Sequence, residues 1–298
     1  MRVGVTGATG LIGSRLVAAL RGRGDGVLAL SRDPARASAQ LDVEAVKWDP
    51  TAPEADALSG LDGIVSLAGE PVAQRWTDAA KERIRSSRVL ATERLVEALA
   101  RADPRPRVLV SASAAGYYGD RGATELEESA PPGDDFLASL CVEWERAADG
   151  AEALGVRVVK LRNGVVLDRR GGALRSMLPP FRAGVGGPVA GGRQYLPWVA
   201  LDDAVGMFLA ALTDGSWSGP VNASGPKAVT NREFVSALGR VLHRPAVVPV
   251  PALALRVLFG EMSSVLTASQ RMVPRQALGL GYVFRHGELD EALRAALA

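Results

Sequence analysis

The sequence predicts an α/β protein in which a doubly wound parallel sheet, covered by helices, is joined to a smaller C-terminal substrate lobe. Over the first 165 residues, short β-branched runs alternate with amphipathic helical stretches. This alternation is typical of a parallel sheet with helices on its faces. A glycine-rich turn directly follows the first apolar run, where a phosphate-binding turn belongs. From residue 169 the composition shifts toward glycine and proline, which indicates a second region.

The predicted elements begin with a short buried strand at residues 3–5. A helix at 11–21 follows, because apolar residues from Leu11 to Leu20 recur at helical spacing and Gly22 ends the pattern. Six further strands are predicted at 27–30, 43–48, 64–67, 108–111, 156–161 and 220–222. The other predicted helices lie at about 78–101, 137–154, 202–213, 231–242 and 251–260.

Two regions are predicted from this order. Residues 1–168, completed by 199–224, form a nucleotide-binding domain, and residues 169–198 and 225–298 form the substrate lobe. Glycine and proline break regular structure, so residues 169–198 are expected to be rich in loops that contact substrate. The alternative is a surface linker, although the aromatic residues in this segment favour the lobe.

Composition excludes several classes of function. The 298 residues include 35 Lys and Arg against 33 Asp and Glu, a net charge of +2, and the cations are scattered. A nucleic-acid partner is therefore not expected. One cysteine and two histidines exclude an internal disulfide and a zinc cluster, so no metal is predicted. No apolar stretch approaches the roughly 18 residues of a membrane span, and a cytoplasmic location is expected.

The glycine-rich turn is Thr6-Gly7-Ala8-Thr9-Gly10-Leu11-Ile12-Gly13. Gly7 can adopt a positive φ, Gly10 lets the backbone approach a pyrophosphate, and Gly13 allows helix and strand to pack closely. The following helix N-terminus offers free N–H groups and a positive dipole end, so Thr9, Leu11 and Ile12 are also predicted to bind the cofactor. The alternative is an ordinary turn. No G-x-x-x-x-G-K-[ST] sequence is present, which excludes a P-loop.

The end of the second strand favours NADP(H) over NAD(H). Ser31 and Arg32 lie about 18 residues after the last glycine of the turn, where an NAD-specific protein places a carboxylate on the ribose 2′-hydroxyl. A hydroxyl and a guanidinium can bind a 2′-phosphate, which a carboxylate would repel. The alternative is that Arg32 is an ordinary surface residue and that Asp33 contacts the ribose.

Several motifs beyond the glycine turn point to a known family. They are Leu67-Ala68-Gly69 after the fourth strand, Ser111 to Gly119 at the fifth, and Arg162 to Leu167 after the sixth. They resemble motifs of the extended short-chain dehydrogenase/reductases, also called NAD(P)-dependent epimerase/dehydratases. Trp144-Glu145 and Pro197-Trp198-Val199 are similar to a YfcH-like branch of that family, which carries a C-terminal domain of its own.

The resemblance implies a seven-stranded Rossmann sheet that binds NADP(H), with the smaller lobe closing over the nicotinamide. Leu67 and Ala68 would border the adenosine ribose, Arg88 would lie near the phosphates, and Val166 would meet the nicotinamide amide. Gly69 and Ser111 belong to the same motifs and are included among the predicted cofactor residues. A homodimer through the helices at 78–101 and 137–154 is implied as well.

The catalytic residues typical of the family are missing. Its members use a Ser or Thr with Tyr-x-x-x-Lys, and no Y-x-x-x-K occurs in this sequence. Alignment on the family motifs places Ala114 at the serine position, Leu137 at the tyrosine position and Cys141 at the lysine position. An acid or base is still needed to remove a hydroxyl proton during hydride transfer. Ser113 and Tyr118 are the predicted substitutes, and Tyr117 and a Cys141 thiolate are alternatives.

Roles are also predicted for other polar and aromatic residues. Arg182, Tyr195 and Trp198 lie in the expected substrate lobe and suit a planar or anionic small molecule. The pairs Asp134-Asp135 and Asp202-Asp203 adjoin predicted helix starts and are expected to cap them. Two functions follow from the sequence: an NADP(H)-dependent oxidoreductase or epimerase with unusual catalytic residues, or an inactive NADP(H)-binding sensor or scaffold.

Overall fold

The computed structural model describes all 298 residues, and a seven-stranded parallel sheet forms its centre. Thirteen strands, β1 to β13, are Arg2–Thr6, Gly26–Ser31, Glu44–Lys47, Gly63–Ser66, Val108–Ala114, Glu125–Leu126, Arg157–Asn163, Val165–Leu167, Tyr195–Leu196, Trp198–Ala200, Gly219–Ala223, Val229–Thr230 and Arg271–Met272. The central sheet has the order β11-β7-β5-β4-β1-β2-β3 with parallel pairing throughout. The fold predicted from the sequence is confirmed.

Twelve α-helices connect and cover the strands. Helices α1 to α12 are Leu11–Gly22, Pro34–Leu41, Asp78–Ser86, Val89–Arg101, Phe136–Asp149, Gly172–Arg182, Leu201–Thr213, Asn231–Leu242, Ala252–Phe259, Ser263–Thr267, Arg275–Gly279 and Leu289–Leu297. On the sheet, α1 packs beside α7 and α4 packs beside α5. No helix combines the length and the apolar character that crossing a bilayer requires.

Two helix predictions need correction. The predicted single helix at 78–101 is two helices, α3 and α4, interrupted at Ser87 and Arg88. The segment 169–198, expected to be loop-rich, contains α6 despite Pro179 and Pro180 within it. Its buried residues Leu174, Leu178 and Phe181 recur at helical spacing, and their burial outweighs the cost of the prolines.

The C-terminal part of the chain has an apolar cluster of its own. Side chains from α6, α8 and α12 pack together with Trp198 of β10, which is 1% exposed. The chain then returns to the first region, where β13 pairs with β6 in parallel. As a result, the C-terminal residues border the edge of the central sheet at which its strands end.

Candidate active site

The glycine turn between β1 and α1 is closely packed and leaves backbone donors free. Gly7 has φ +65°, and a Cβ on Gly13 would lie 2.3 Å from the Gly7 carbonyl oxygen. Gly10 caps α1 without a side-chain hydrogen bond, and the amides of Leu11, Ile12 and Gly13 donate to no protein acceptor. Free amides at the positive end of a helix dipole fit a phosphate group.

At the end of β2, Arg32 is exposed, and the neighbouring carboxylate of Asp33 caps helix α2. Arg32 is exposed and makes no hydrogen bond with its side chain. The Ser31 hydroxyl accepts from the Asp33 amide at 3.2 Å, and the Asp33 carboxylate accepts from the Arg36 amide at 3.0 Å as the cap of α2. This capping role argues against Asp33 as a ribose ligand and favours Arg32 on a 2′-phosphate.

One cavity of about 460 Å³ extends along the carboxyl edge of the sheet, starting at the glycine turn. Such an edge, near the point where strand order reverses, is the usual ligand site of a doubly wound sheet. Nine of the predicted cofactor and catalytic residues line it: Gly7, Gly10, Leu11, Ile12, Gly13, Leu67, Arg88, Ser113 and Val166. The structure thus brings together residues that are 159 positions apart in the sequence, since 166 − 7 = 159.

The other predicted cofactor residues do not line this cavity. Thr9 and Gly69 are exposed beside it, and Ala68 is half-buried, with its amide donating to the Thr6 hydroxyl at 3.3 Å. The Ser111 hydroxyl is buried and donates to the Ala112 carbonyl at 3.2 Å, so it is turned to its own strand. Ser31 and Arg32 lie at the tip of β2, outside the cavity wall.

Arg88 is the only cation in the cavity wall. Its Nη1 donates to the Glu70 carbonyl at 2.9 Å, while its Nε and Nη2 have no protein acceptor and the guanidinium carbon lies 5.4 Å from the Trp144 ring centroid. It forms no ion pair, and burial lowers the pKa of its guanidinium. A mostly buried cation without a carboxylate partner is costly, and a bound anion would offset that cost.

The three positions that correspond to the family's catalytic triad lie together in the cavity wall. Ala114 ends β5, and Leu137 and Cys141 lie one turn apart on α5. Ala114 and Leu137 carry hydrocarbon side chains that exchange no proton, and burial raises the pKa of the Cys141 thiol to about 12. Burial therefore disfavours the alternative of a Cys141 thiolate.

Ser113 is the predicted catalytic residue that the structure does place in the cavity. Its hydroxyl donates to Glu145 Oε1 at 2.6 Å, and both residues are at least nine-tenths buried. Arg162 donates to both oxygens of the same carboxylate, from Nε at 2.8 Å and from Nη2 at 2.9 Å. The serine proton is thus directed away from the cavity, and the serine oxygen keeps a lone pair toward it.

Tyr118, the other predicted catalytic residue, does not reach the cavity. It is fully buried, and its hydroxyl donates to Asn222 Oδ1 at 2.6 Å and accepts from Arg162 Nη1 at 3.0 Å. Burial raises its pKa to about 12. Tyr118 is also absent from the cavity wall. The centroid of the Tyr117 ring lies 3.4 Å from the Arg162 guanidinium carbon. These tyrosines therefore support the buried arginine.

The predicted substrate residues are also placed elsewhere. Arg182 is exposed at the end of α6, and Trp198 is buried in the C-terminal cluster with its indole N–H donating to the Lys227 carbonyl at 3.0 Å. Tyr195 packs 5.5 Å from the Arg271 guanidinium carbon. Their neighbours Gln194, Leu196 and Pro197 line the cavity instead.

Glu145 is a site residue for which the sequence indicated only membership of the Trp144-Glu145 motif. It lies at i+8 from Leu137 and i+4 from Cys141, so it shares the apolar face of α5. A carboxylate in such a stripe signals a buried partner, because an unpaired buried charge is very costly. Asp135 fulfils its predicted role, since its carboxylate caps α5 by accepting from the Ala138 amide at 2.8 Å.

The fold and the cavity together define a dinucleotide-binding protein of the short-chain dehydrogenase/reductase type. The chain belongs to the NAD dependent epimerase/dehydratase family, whose model matches residues 3–223. A second model, for a domain of unknown function (DUF1731), matches residues 250–296. The family resemblance found in the sequence is confirmed.

Comparison with known proteins gives relatives along the whole chain. The epimerase family protein Mb2239 of Mycobacterium bovis is 42% identical over 295 residues, which cover 98% of this chain and 96% of the relative. The crystal structure of human epimerase family protein SDR39U1 with NADPH superposes with a TM-score of 0.90 at 35% identity and covers 99% of both chains. NADPH is also the cofactor form predicted from this sequence.

A bacterial structure is similar as well. The nucleoside-diphosphate sugar epimerase from Corynebacterium glutamicum gives a TM-score of 0.80 at 35% identity, covering 100% of this chain and 58% of its own. The shared architecture therefore extends over the complete length of this chain.

Proposed function

We propose that this protein is an NADP(H)-dependent oxidoreductase or epimerase that acts on a small molecule without the usual Tyr-x-x-x-Lys pair. The observation that carries the proposal is the single cavity in which the glycine turn and Ser113 both lie. It joins a dinucleotide-binding edge to a polar group that can contact a substrate hydroxyl. NADPH in the human relative supports the choice of cofactor.

The residues present fit a dinucleotide phosphate. A Cβ at Gly7 would lie 2.8 Å from the Ala68 amide nitrogen, so this position admits only glycine, and three α1 amides remain free. Those amides and the unpaired nitrogens of Arg88 would hold the pyrophosphate, and Arg32 with Ser31 would hold the 2′-phosphate. Bound NADP(H) supplies hydride transfer to or from the substrate carbon.

Ser113 is the proposed proton contact of the reaction. In the oxidative direction a substrate hydroxyl must lose its proton as the hydride leaves the same carbon. The Ser113 oxygen can accept that proton while its own proton passes to Glu145 Oε1, 2.6 Å away. Arg162 positions the Glu145 carboxylate through two hydrogen bonds and so keeps it directed at Ser113.

A second candidate function is NADP(H) binding without turnover. It is favoured by the apolar side chains at two of the three positions where the family carries its triad, Ala114 and Leu137, and by the neutral thiol at Cys141. A protein of this kind would sense or store the reduced cofactor. It would bind NADPH as tightly as an enzyme does and would turn over no substrate.

The first experiment is calorimetric titration with NADPH and NADH. We expect wild-type protein to prefer NADPH and Arg32→Ala to lose most of that preference, at least about tenfold, because a charge-assisted hydrogen bond contributes about 1.5–3 kcal/mol. Arg101→Ala is the matched control, since Arg101 is an exposed arginine on α4 outside the cavity. Equal binding of the two cofactors, or no binding, would overturn the proposal.

The second experiment separates the two functions. Purified protein with NADP⁺ is screened against neutral alcohols, and the formation of reduced cofactor is followed by absorbance. We expect turnover that falls at least about a hundredfold in Ser113→Ala, within the range of general acid–base catalysis. Ser111→Ala, on the same strand but outside the cavity wall and with its hydroxyl bonded to the Ala112 carbonyl, should leave the rate unchanged. NADPH binding without any turnover would instead support the sensor.

A further inference from the structure

The half of the cavity wall that residues 194–270 contribute contains no charged side chain. From residue 194 onward it consists of Gln194, Leu196, Pro197, Asn231, Ser264, Val265, Leu266, Ala268 and Gln270. In the whole wall only Arg88 and Asp135 are charged, and the Asp135 carboxylate already caps α5. A ligand in this half therefore meets hydrocarbon and neutral polar groups.

This wall is poorly suited to a second diphosphate. A buried phosphate needs several charge-assisted donors, usually arginine or free helix amides. Under the proposed function the cofactor pyrophosphate takes the amides of α1 and the nitrogens of Arg88. The other helix N-terminus at the cavity, that of α5, carries the Asp135 carboxylate, which repels an anion. No further cation lines the cavity that could bind the diphosphate of a nucleotide sugar.

Toward a ligand in the cavity, the Ser113 hydroxyl can accept a hydrogen bond but not donate one. A carboxylate oxygen can only accept, so the hydroxyl hydrogen of Ser113 must point at Glu145. Apart from the Glu145 carboxylate, the Cys141 thiol is the side chain that bonds to this hydroxyl, and because a hydroxyl oxygen has two lone pairs, at least one remains for a ligand in the cavity. Ser113 is therefore an acceptor toward a substrate and cannot donate to a substrate carbonyl while this bond persists.

From these two observations we infer that the substrate is an uncharged, largely apolar molecule that donates a hydrogen bond, as an alcohol does, to the Ser113 oxygen. The inference rests on the proposed function and specifies its substrate class. It separates this chain from enzymes that bind nucleoside-diphosphate sugars, although the fold is shared with a protein described as such an epimerase. Leu137, Leu196 and Leu266 would contact the hydrocarbon part of the substrate.

The test uses three probes on protein saturated with NADPH: cyclohexanol, methoxycyclohexane and UDP-glucose, each titrated by NMR. We expect cyclohexanol to bind about fivefold more tightly than its methyl ether, since one neutral hydrogen bond contributes about 1 kcal/mol. UDP-glucose should not bind. In Ser113→Ala the preference for the alcohol should disappear, whereas Ser111→Ala should retain it.

Several outcomes would overturn the inference. They are binding of UDP-glucose, equal binding of alcohol and ether to wild-type protein, retained preference in Ser113→Ala, and failure of both neutral probes to bind. The alcohol and ether comparison needs only wild-type protein, so it decides the question even if a variant fails to fold. NADPH titration without the probes tests the proposed function separately, because loss of cofactor binding would contradict that function first.

Discussion

At the scale of single residues, a buried ion pair determines how the cavity can use its serine. Glu145 and Arg162 are 7% and 3% exposed, and two hydrogen bonds fix them to each other. Removing one partner of such a pair leaves an uncompensated charge, which costs about 3–5 kcal/mol. The ion pair therefore keeps the Ser113 hydroxyl donating to Glu145 while neighbouring side chains move.

Cys141 gives a prediction at the same scale. Burial raises the pKa of its thiol to about 12, and only the thiolate attacks alkylating reagents. We expect native protein to resist iodoacetamide at pH 8, where the thiol stays protonated, and to react only after unfolding in guanidinium chloride. Mass spectrometry of the peptide that contains Cys141 measures the modification.

The chain contains no second cysteine, so the modified fraction reports on this site alone. Unfolded protein is the matched control, because its thiol has an ordinary pKa of about 8.5. Rapid alkylation of the native protein at pH 8 would contradict the structure. It would also restore the thiolate as a candidate catalytic group.

At the scale of elements, local patterns predicted the seven strands of the central sheet and the first helix within about three residues, but missed the six short strands outside that sheet, and tertiary hydrogen bonds divided one predicted helix in two. The apolar repeat continues through 78–101, yet the Ser87 hydroxyl accepts from the Glu70 amide at 2.9 Å and Arg88 turns back to the Glu70 carbonyl. These contacts join two segments 17 and 18 residues apart. No periodicity within a single helix can encode them.

The same limit explains why the substrate residues were misplaced. Pro197 separates two short strands, β9 with Tyr195 and β10 with Trp198, so no single alternation of side chains runs through the segment. Gln194, Leu196 and Pro197 line the cavity, and Tyr195 and Trp198 lie outside it. That the segment belongs to a substrate lobe stays a prediction. The sequence contained no signal for which of these side chains face the cavity, because the segment is largely apolar.

Gly13 of α1 provides a prediction for the phosphate-binding element. A Cβ there would lie 2.3 Å from the Gly7 carbonyl oxygen and 2.9 Å from the Ala8 carbonyl oxygen, so helix and turn must separate. We expect Gly13→Ala to weaken NADPH binding at least about tenfold, since the amides lose their common direction and about 1.4 kcal/mol corresponds to tenfold. Calorimetric titration measures the change.

Gly22→Ala is the control for that variant. Gly22 ends the same helix, and a Cβ at Gly22 meets no atom within 4 Å, so the affinity for NADPH should stay unchanged. Equal affinities for wild type and Gly13→Ala would mean that the turn does not hold the phosphates. Circular dichroism on both variants establishes that each retains its helices.

At the scale of the whole molecule, the C-terminal segment is attached to α7 by the Asp203 carboxylate, for which the sequence predicted a different role. Asp203 was expected to cap α7, but its side chain accepts from the amides of Arg285 at 2.7 Å and His286 at 3.0 Å. The Tyr282 hydroxyl donates to the Asp203 carbonyl at 2.9 Å. Positions some 80 residues apart meet here, which only the complete fold can reveal.

Asp203→Asn tests this connection and, through it, the wall of the cavity. An asparagine keeps the shape but has one acceptor oxygen, so one of the two amides loses its partner in a site that is 1% exposed. We expect the free energy of unfolding to fall by about 1–3 kcal/mol. The amides of Arg285 and His286 should exchange with deuterium faster, as measured by hydrogen exchange with mass spectrometry.

Asp202→Asn is the neighbouring control, because Asp202 forms a solvent-accessible ion pair with Arg15 at 3.0 Å and lies 3.8 Å from the His286 imidazole. The amides of Arg285 and His286 donate to Asp203 and not to Asp202. A surface pair of this kind contributes at most about 1 kcal/mol, so stability and exchange should change little. Cofactor and neutral ligand should bind Asp202→Asn normally. If Asp203→Asn both speeds amide exchange and weakens cyclohexanol binding while NADPH binding is unchanged, the C-terminal segment positions the substrate half of the cavity. Unchanged exchange would mean that other contacts, such as β13 with β6, fasten the segment by themselves.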